Sequence, residues 1–184
     1  IGSSLIYAPA DYANTNELIA ICKIASKFKG KYISHLRNEG RNVIEALNEL
    51  ITISKKANIP AEIYHLKASR KPNWFLLDSI INKVERARKE GLKITADVYT
   101  YPASSTGLTG VIPTWVQEGG HRAWIERMKN KKVRKRLLDD IRKELSEQPP
   151  EGILMVGFEN NSLDKMYRGK TIAEASLMRN QSPE

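Results

Sequence analysis

The sequence predicts an α/β fold built from consecutive βα units on a parallel sheet. Two observations carry this. Strand-like and helix-like patterns alternate over roughly the first hundred residues, and three strand starts fall near residues 31, 61 and 93. The repeat of about thirty residues is the size of a βαβ unit, and such alternation makes a parallel sheet, open or closed into a barrel.

Each element follows from local signals. Asn14 to Lys29 reads as a helix opened by a capping box, Asn14 with Glu17, and ended at Gly30. Lys31 to Leu36 reads as a strand. Asn42 to Lys56 reads as a second helix with the same Asn and Glu spacing, Asn42 with Glu45. Pro60 breaks the chain, and Ala61 to Leu66 reads as the next strand. Asn73 to Glu90 is a third helix stopped by Gly91, and Leu92 to Tyr99 a third strand. Ala103 to Pro113 is rich in Ser, Thr and Gly and is expected to be a loop, long enough to suggest a functional one. A helical region from Thr114 to Glu147, interrupted around Gly119 and Gly120, ends at Pro149 and Pro150. Ile153 to Phe158 is expected as a fourth strand. Thr171 to Arg179 is expected as a closing helix, with Thr171 and Glu174 as its capping box. Residues 1–184 are read as a single segment, with a loop and helical insertion around 103–148.

Composition bounds the function. With 184 residues, 41% hydrophobic and 28% charged, the chain has the make-up of one globular domain rather than a disordered one. No run approaches the roughly 18 apolar residues of a membrane span, so no membrane is expected among the partners. There is no secretory signal pattern, and a single cysteine, Cys22, excludes an internal disulfide framework, which together suggest a cytoplasmic location. Cys22 lies in the apolar stretch Leu18 to Cys22 and reads as a small buried hydrophobe. The chain begins at Ile1 rather than Met, so a segment of something longer is expected.

Chemistry concentrates at two strand ends. One reads Ser34-His35-Leu36-Arg37, the other Tyr64-His65-Leu66-Lys67: in each, His-Leu and then a cation. The chain has three histidines, and two of them stand thirty residues apart, one βα repeat. Equivalent positions in successive repeats lie side by side, and ligands bind at the carboxyl ends of parallel strands. Two imidazoles there can converge on one metal ion, which needs nitrogen ligands about 2 Å away. Ordinary polar strand-end histidines would produce the same pattern.

Several longer motifs join them in order: Gly2 to Pro9 with Tyr12-Ala13, Ser34 to Glu39, His65 to Ala68 with Asn73-Trp74, Asp97 to Thr106, Pro113 to Trp115, and Gly169 to Glu174. On these the chain resembles the N-acyl-D-amino-acid deacylases, the D-aminoacylases of the amidohydrolase superfamily, over most of its length. The resemblance implies part of a (β/α)8 barrel of the metal-dependent hydrolase kind, with zinc at the carboxyl ends of the strands. It implies that His35 and His65 are metal ligands. It implies that Lys67, Tyr99 and Ser105 hold the substrate carboxylate, with Tyr7 as a further substrate-side tyrosine. Tyr101 and Ser104 stand within a residue or two of exchanging those roles. The family's cysteine ligand is not matched by Cys22. No His-x-His pair occurs here, and the family's proton-shuttling aspartate has no match, so the chain by itself is expected to be inactive. The expected substrate is a small N-acyl amino acid, cleaved at its amide bond. A related superfamily enzyme acting on a cyclic amide, dihydroorotase-like, would share the barrel and both histidines but not the carboxylate clamp.

Other features carry less. The net charge of +9 reflects the run from Arg127 to Arg136, which could serve a nucleic-acid-binding module. Trp124, Met128, Leu137, Leu138, Ile141 and Leu145 recur at near-helical spacing beside it, so a solvated helix face is preferred and no nucleic acid is expected. His121 has no partner motif. Gly169-Lys170-Thr171 matches only the end of a phosphate-binding loop. The sequon at Asn160 carries no weight without a secretion signal. Asp97 is open between a structural role and one supporting the site. Bare barrel edges are expected to make the segment self-associate.

Overall fold

A computed structural model describes residues 1–184. Four short strands, β1 (Gly2–Ser4), β2 (Tyr32–His35), β3 (Ala61–Ile63) and β4 (Ile94–Ala96), form one sheet in the order β1-β2-β3-β4. Every pairing is parallel. The crossovers carry α1 (Thr15–Lys27), α2 (Val43–Ala57) and α3 (Leu77–Lys89). The expected alternation is therefore present, with one strand more than the sequence revealed. β1 is Gly-Ser-Ser, residues without strand preference, and exists only through its ladder to β2.

The chain forms two compact units, Ile1–Trp124 and Ile125–Glu184. The core of the first lies between the sheet and its helices. α2 is the central helix and buries Val43, Ala46, Leu47, Leu50, Ile53, Ser54 and Ala57. This stripe recurs at three- and four-residue intervals, the face a helix lays on a sheet. Tyr32, Ala61, Ile63 and Ile94 meet it from the strands. Ser54, buried in this stripe, donates to the Ile59 carbonyl at 2.7 Å, which satisfies its hydroxyl. Cys22 is buried in the same core, and burial pushes its thiol pKa up, as for an inert apolar filler.

Caps and stops differ in detail from expectation. The Asn14 and Glu17 capping box forms. The one expected at Asn42 does not, because Asn38 accepts from the Gly40 and Asn42 amides instead. At the end of α1 it is Lys29 that turns left-handed, with φ of 56°. Gly30 is needed for space: a Cβ there would stand 2.9 Å from the Ala25 carbonyl oxygen. Gly91 ends α3 as expected, with φ of 89°. The helix expected from Asn73 begins only at Leu77, after a 3-10 turn over Lys71–Leu76. Asn73 is buried and spends its amide on the Ser69 carbonyl.

The expected loop at 103–113 holds one 3-10 turn, Leu108–Gly110. Three helices follow: α4 (Thr114–Gln117), α5 (Gly120–Met128) and α6 (Lys131–Glu147). Asn130 caps α6 by accepting from Lys132 and Val133. Of the predicted apolar face, Trp124 and Leu137 are buried, while Lys131, Lys132, Arg134, Lys135 and Arg136 are exposed.

The strand expected over Ile153–Phe158 is a correction. Leu154 makes a single antiparallel bridge to Thr171, and Leu154 and Val156 are exposed. An alternating apolar run becomes a strand only where a neighbouring ladder exists, and here the partner is a turn. α7 (Asn161–Tyr167) was not foreseen; Asn160, noticed only as a sequon, is its cap. α8 (Ile172–Arg179) forms with the predicted Thr171 and Glu174 box. No helix is long and apolar enough to cross a membrane.

Candidate metal centre

The carboxyl ends of β2, β3 and β4 bring together residues far apart in sequence. His35 is the last residue of β2. His65 stands two residues beyond β3, and the ladder does not make it the counterpart of His35. Ser34 pairs with Ile63, so the next step would set Tyr64 opposite His35. Side chains alternate between faces along a strand, so an extended His65 would point away from His35. His65 instead has a left-handed backbone, φ of 42°. That turn ends β3 earlier than the sequence suggested and swings the imidazole back. The two rings lie 4.4 Å apart between centroids, edge to face at 85°.

Left-handed backbone is unfavourable for a residue with a Cβ and needs surrounding support. Asp97, just past β4, supplies it. Its carboxylate accepts from the His65 amide, and its own carbonyl accepts from the Leu66 amide at 2.8 Å. Asp97 thus holds the main chain that carries His65.

Glu39 is the residue that sequence reasoning missed. Its Oε1 lies 2.9 Å from His65 Nδ1, 3.7 Å from His35 Nδ1 and 2.7 Å from Lys67 Nζ. All four side chains are largely withdrawn from solvent: His35 is 11% exposed, Glu39 12%, His65 13% and Lys67 17%. The donor atoms of His35, Glu39 and His65 all lie within 4.8 Å of one another, so these residues could hold a divalent cation. A sign was available in the motif Ser34 to Glu39, where Glu39 follows His35 by four residues.

Charge and tautomer follow from the contacts. His35 Nδ1 sits 3.0 Å from the Leu36 carbonyl, which can only accept. Nδ1 therefore carries a proton. Burial is the main influence lowering the His65 pKa; Lys67 and His35 act the same way, and Glu39 opposes them. His65 is thus kept as the neutral imidazole a metal requires.

The predicted carboxylate-side residues arrive unevenly. Lys67 is in the cluster, 2.8 Å from His65 Nδ1, and its ammonium lies 4.9 Å from the centre of the Tyr99 ring. The Tyr99 ring also lies 5.5 Å from that of His65, tilted at 40° to it. Tyr7 packs against His35 at 5.3 Å, and its hydroxyl pairs with Thr106 at 2.9 Å, which anchors the Ser- and Thr-rich loop beside the histidines. Ser105 is exposed in that loop, and the loop reaches the site through its neighbour Thr106. His121 lies beside Trp124, 5.2 Å between rings, outside the cluster.

No family model matches the chain. It is 30% identical over 104 residues to an N-acyl-D-glutamate deacylase of Alcaligenes xylosoxydans xylosoxydans, covering 56% of this chain and 21% of that protein. It is 32% identical over 108 residues to a D-aminoacylase of the same organism, covering 59% and 22%. The chain thus spans about a fifth of the length of the curated relatives it matches. Among solved structures, N-acyl-D-glutamate deacylase of Bordetella bronchiseptica, complexed with zinc and a phosphonate inhibitor, superposes with a TM-score of 0.73 at 20% identity, over 99% of this chain and 31% of that one. A D-aminoacylase superposes with a TM-score of 0.68 at 23% identity, over 100% and 31%. The chain is thus similar, over part of its length, to N-acyl-D-amino-acid deacylases, and its parallel βα units share the fold of the matching part of those solved structures.

Proposed function

We propose that this chain supplies two metal ligands and the carboxylate clamp of a zinc-dependent amidohydrolase that cleaves N-acyl-D-amino acids to a carboxylate and a D-amino acid. One observation carries the reading: His35, His65 and Glu39 converge at the carboxyl ends of neighbouring strands, with Lys67 and Tyr99 alongside. Two imidazoles side by side suit zinc. When bound, the metal would activate a water and polarise the amide carbonyl. The chain's own residues do the rest of what is assigned here. His35 and His65 hold the ion. Lys67, with Tyr99 and Ser105, grips the free carboxylate and orients the amide, and Tyr7 lines the same side. This clamp favours an open-chain N-acyl amino acid over a cyclic amide.

By itself the chain is expected not to turn over substrate. Asp97 is committed to the His65 backbone, and no other residue is matched to the proton shuttle. Residues 103–148 are read as an insertion into the barrel segment. The free edges of β1 and β4 are read as the surfaces through which the chain self-associates, which sedimentation velocity would reveal as concentration-dependent species. The single cysteine is consistent with a cytoplasmic setting.

The deciding experiment is zinc binding by the purified chain, measured by competition with a chromophoric chelator, beside a His35→Ala/His65→Ala variant. About one zinc bound by the wild type and none by the variant is the expected outcome. Equal binding by both would overturn the assignment of the ligands.

A further inference from the structure

Two contacts compete for one atom. His65 Nδ1 has a single in-plane position, which holds either a proton or a lone pair. Glu39 Oε1, an acceptor, lies 2.9 Å from it, and Lys67 Nζ, a donor, lies 2.8 Å from it. Only one can be its hydrogen-bond partner. Building on the proposed metal centre, we propose that Glu39 is a positioning residue. Its carboxylate fixes His65 as the Nδ1–H tautomer, which leaves Nε2 bare for a ligand, and the same oxygen tethers Lys67. One group would then set both the metal side and the carboxylate side of the site.

Three observations favour Glu39 over Lys67. Lys67 has other outlets, since it donates to Glu39 at 2.7 Å and lies over the Tyr99 ring. Glu39 is 12% exposed and needs donors, and His65 Nδ1–H with Lys67 would supply them. His35 already shows a similar device, with Nδ1–H turned to a fixed acceptor. Histidine ligands characteristically donate their other nitrogen to a carboxylate or a backbone carbonyl, and this site would use one of each.

The test reads the tautomer directly, in the metal-free full chain. With three histidines, selective 15N-histidine labelling gives a long-range 1H–15N spectrum in which His65 is identified by its loss in His65→Gln. At neutral pH the wild type should show His65 protonated at Nδ1. Glu39→Met should invert it to Nε2–H, as Lys67 takes over Nδ1. Glu39→Gln, which keeps an acceptor oxygen, should rescue the wild-type form, and Lys67→Met should leave it unchanged. A bare Nδ1 in the wild type overturns the proposal, and so does a tautomer that follows Lys67→Met rather than Glu39→Met. Zinc affinity gives a second readout: Glu39→Met should bind about 10- to 100-fold more weakly than wild type. Should the wild type bind no zinc while the tautomers behave as stated, the metal reading fails and the positioning role of Glu39 stands.

Discussion

Helices α2 and α6 show how differently one chain uses the same periodicity. Both carry apolar residues at helical spacing, and α6 is the longer, 17 residues against 15. Yet α2 buries seven residues and α6 only Leu137. α2 lies against a sheet and between two other helices, so its stripe meets strand side chains at every turn. The unit from Ile125 to Glu184 contains no sheet, only the bridge from Leu154 to Thr171, and Leu137 and Tyr167 are its buried hydrophobic residues. Periodicity orients a helix, whereas the depth of its burial depends on what lies opposite.

Substitutions can break or sharpen this contrast. The largest effect is expected at Leu47, fully buried in α2. Leu47→Ala should cost about 2–5 kcal/mol in chemical denaturation, whereas Leu137→Ala should fall at or below the bottom of that range, because thinner surroundings collapse more readily. Equal losses would erase the distinction between the units.

Next comes Arg37, which ties α2 to the segment before α1. It donates to Glu49 at 2.8 and 2.9 Å and to the carbonyls of Asp11 and Ala13 at 2.8 Å. Arg37→Met strands the Glu49 carboxylate and should cost about 2–3 kcal/mol, below the full cost of breaking a buried pair because Arg37 is 31% exposed. A change under half of that would mean water replaces the guanidinium without loss.

The same pair predicts a pH dependence. Burial alone would raise the Glu49 carboxyl, but hydrogen bonds from Arg37 and Thr15 outweigh it and hold the pKa below its ordinary 4.5. Between that lowered value and 4.5, the unfolded chain binds more protons than the folded one. Stability therefore rises with pH there. The contribution is complete above pH 4.5 and lost as the pH falls through the folded value. Denaturation midpoints measured from pH 6 down to pH 3 should show this slope in the wild type and a reduced one in Arg37→Met.

The smallest effect tests the second unit locally. Asn160 caps α7 by accepting from the Ser162 and Leu163 amides. Asn160→Ala should cost about 1 kcal/mol, seen as faster amide exchange within α7, while exchange in α2 stays unchanged.

Much of the first unit was legible because its signals are local and agree with one another. Strand starts near 31, 61 and 93, the capping boxes at Asn14 and Thr171, and the stop at Gly91 all form. His35 and His65 could be paired from their thirty-residue spacing. Where reading failed, the missing information was a partner in space. β1 has no strand propensity of its own, and the run Ile153 to Phe158 has the pattern of a strand with no ladder beside it.

What the sequence by itself determined is the order of βα units, the helix face that meets the sheet, and the placing of His35 and His65 near successive strand ends. These follow from hydrophobic period, caps and repeat length, which act over a few residues. The meeting of the two imidazoles was decided only by tertiary structure. The ladder places them one residue out of step, and the left-handed turn at His65, held by the carboxylate of Asp97 some thirty residues away, restores their convergence. Glu39 likewise gains its position from contacts to residues just beyond β3. Hydrogen bonds between distant segments choose a backbone conformation that local preference alone disfavours.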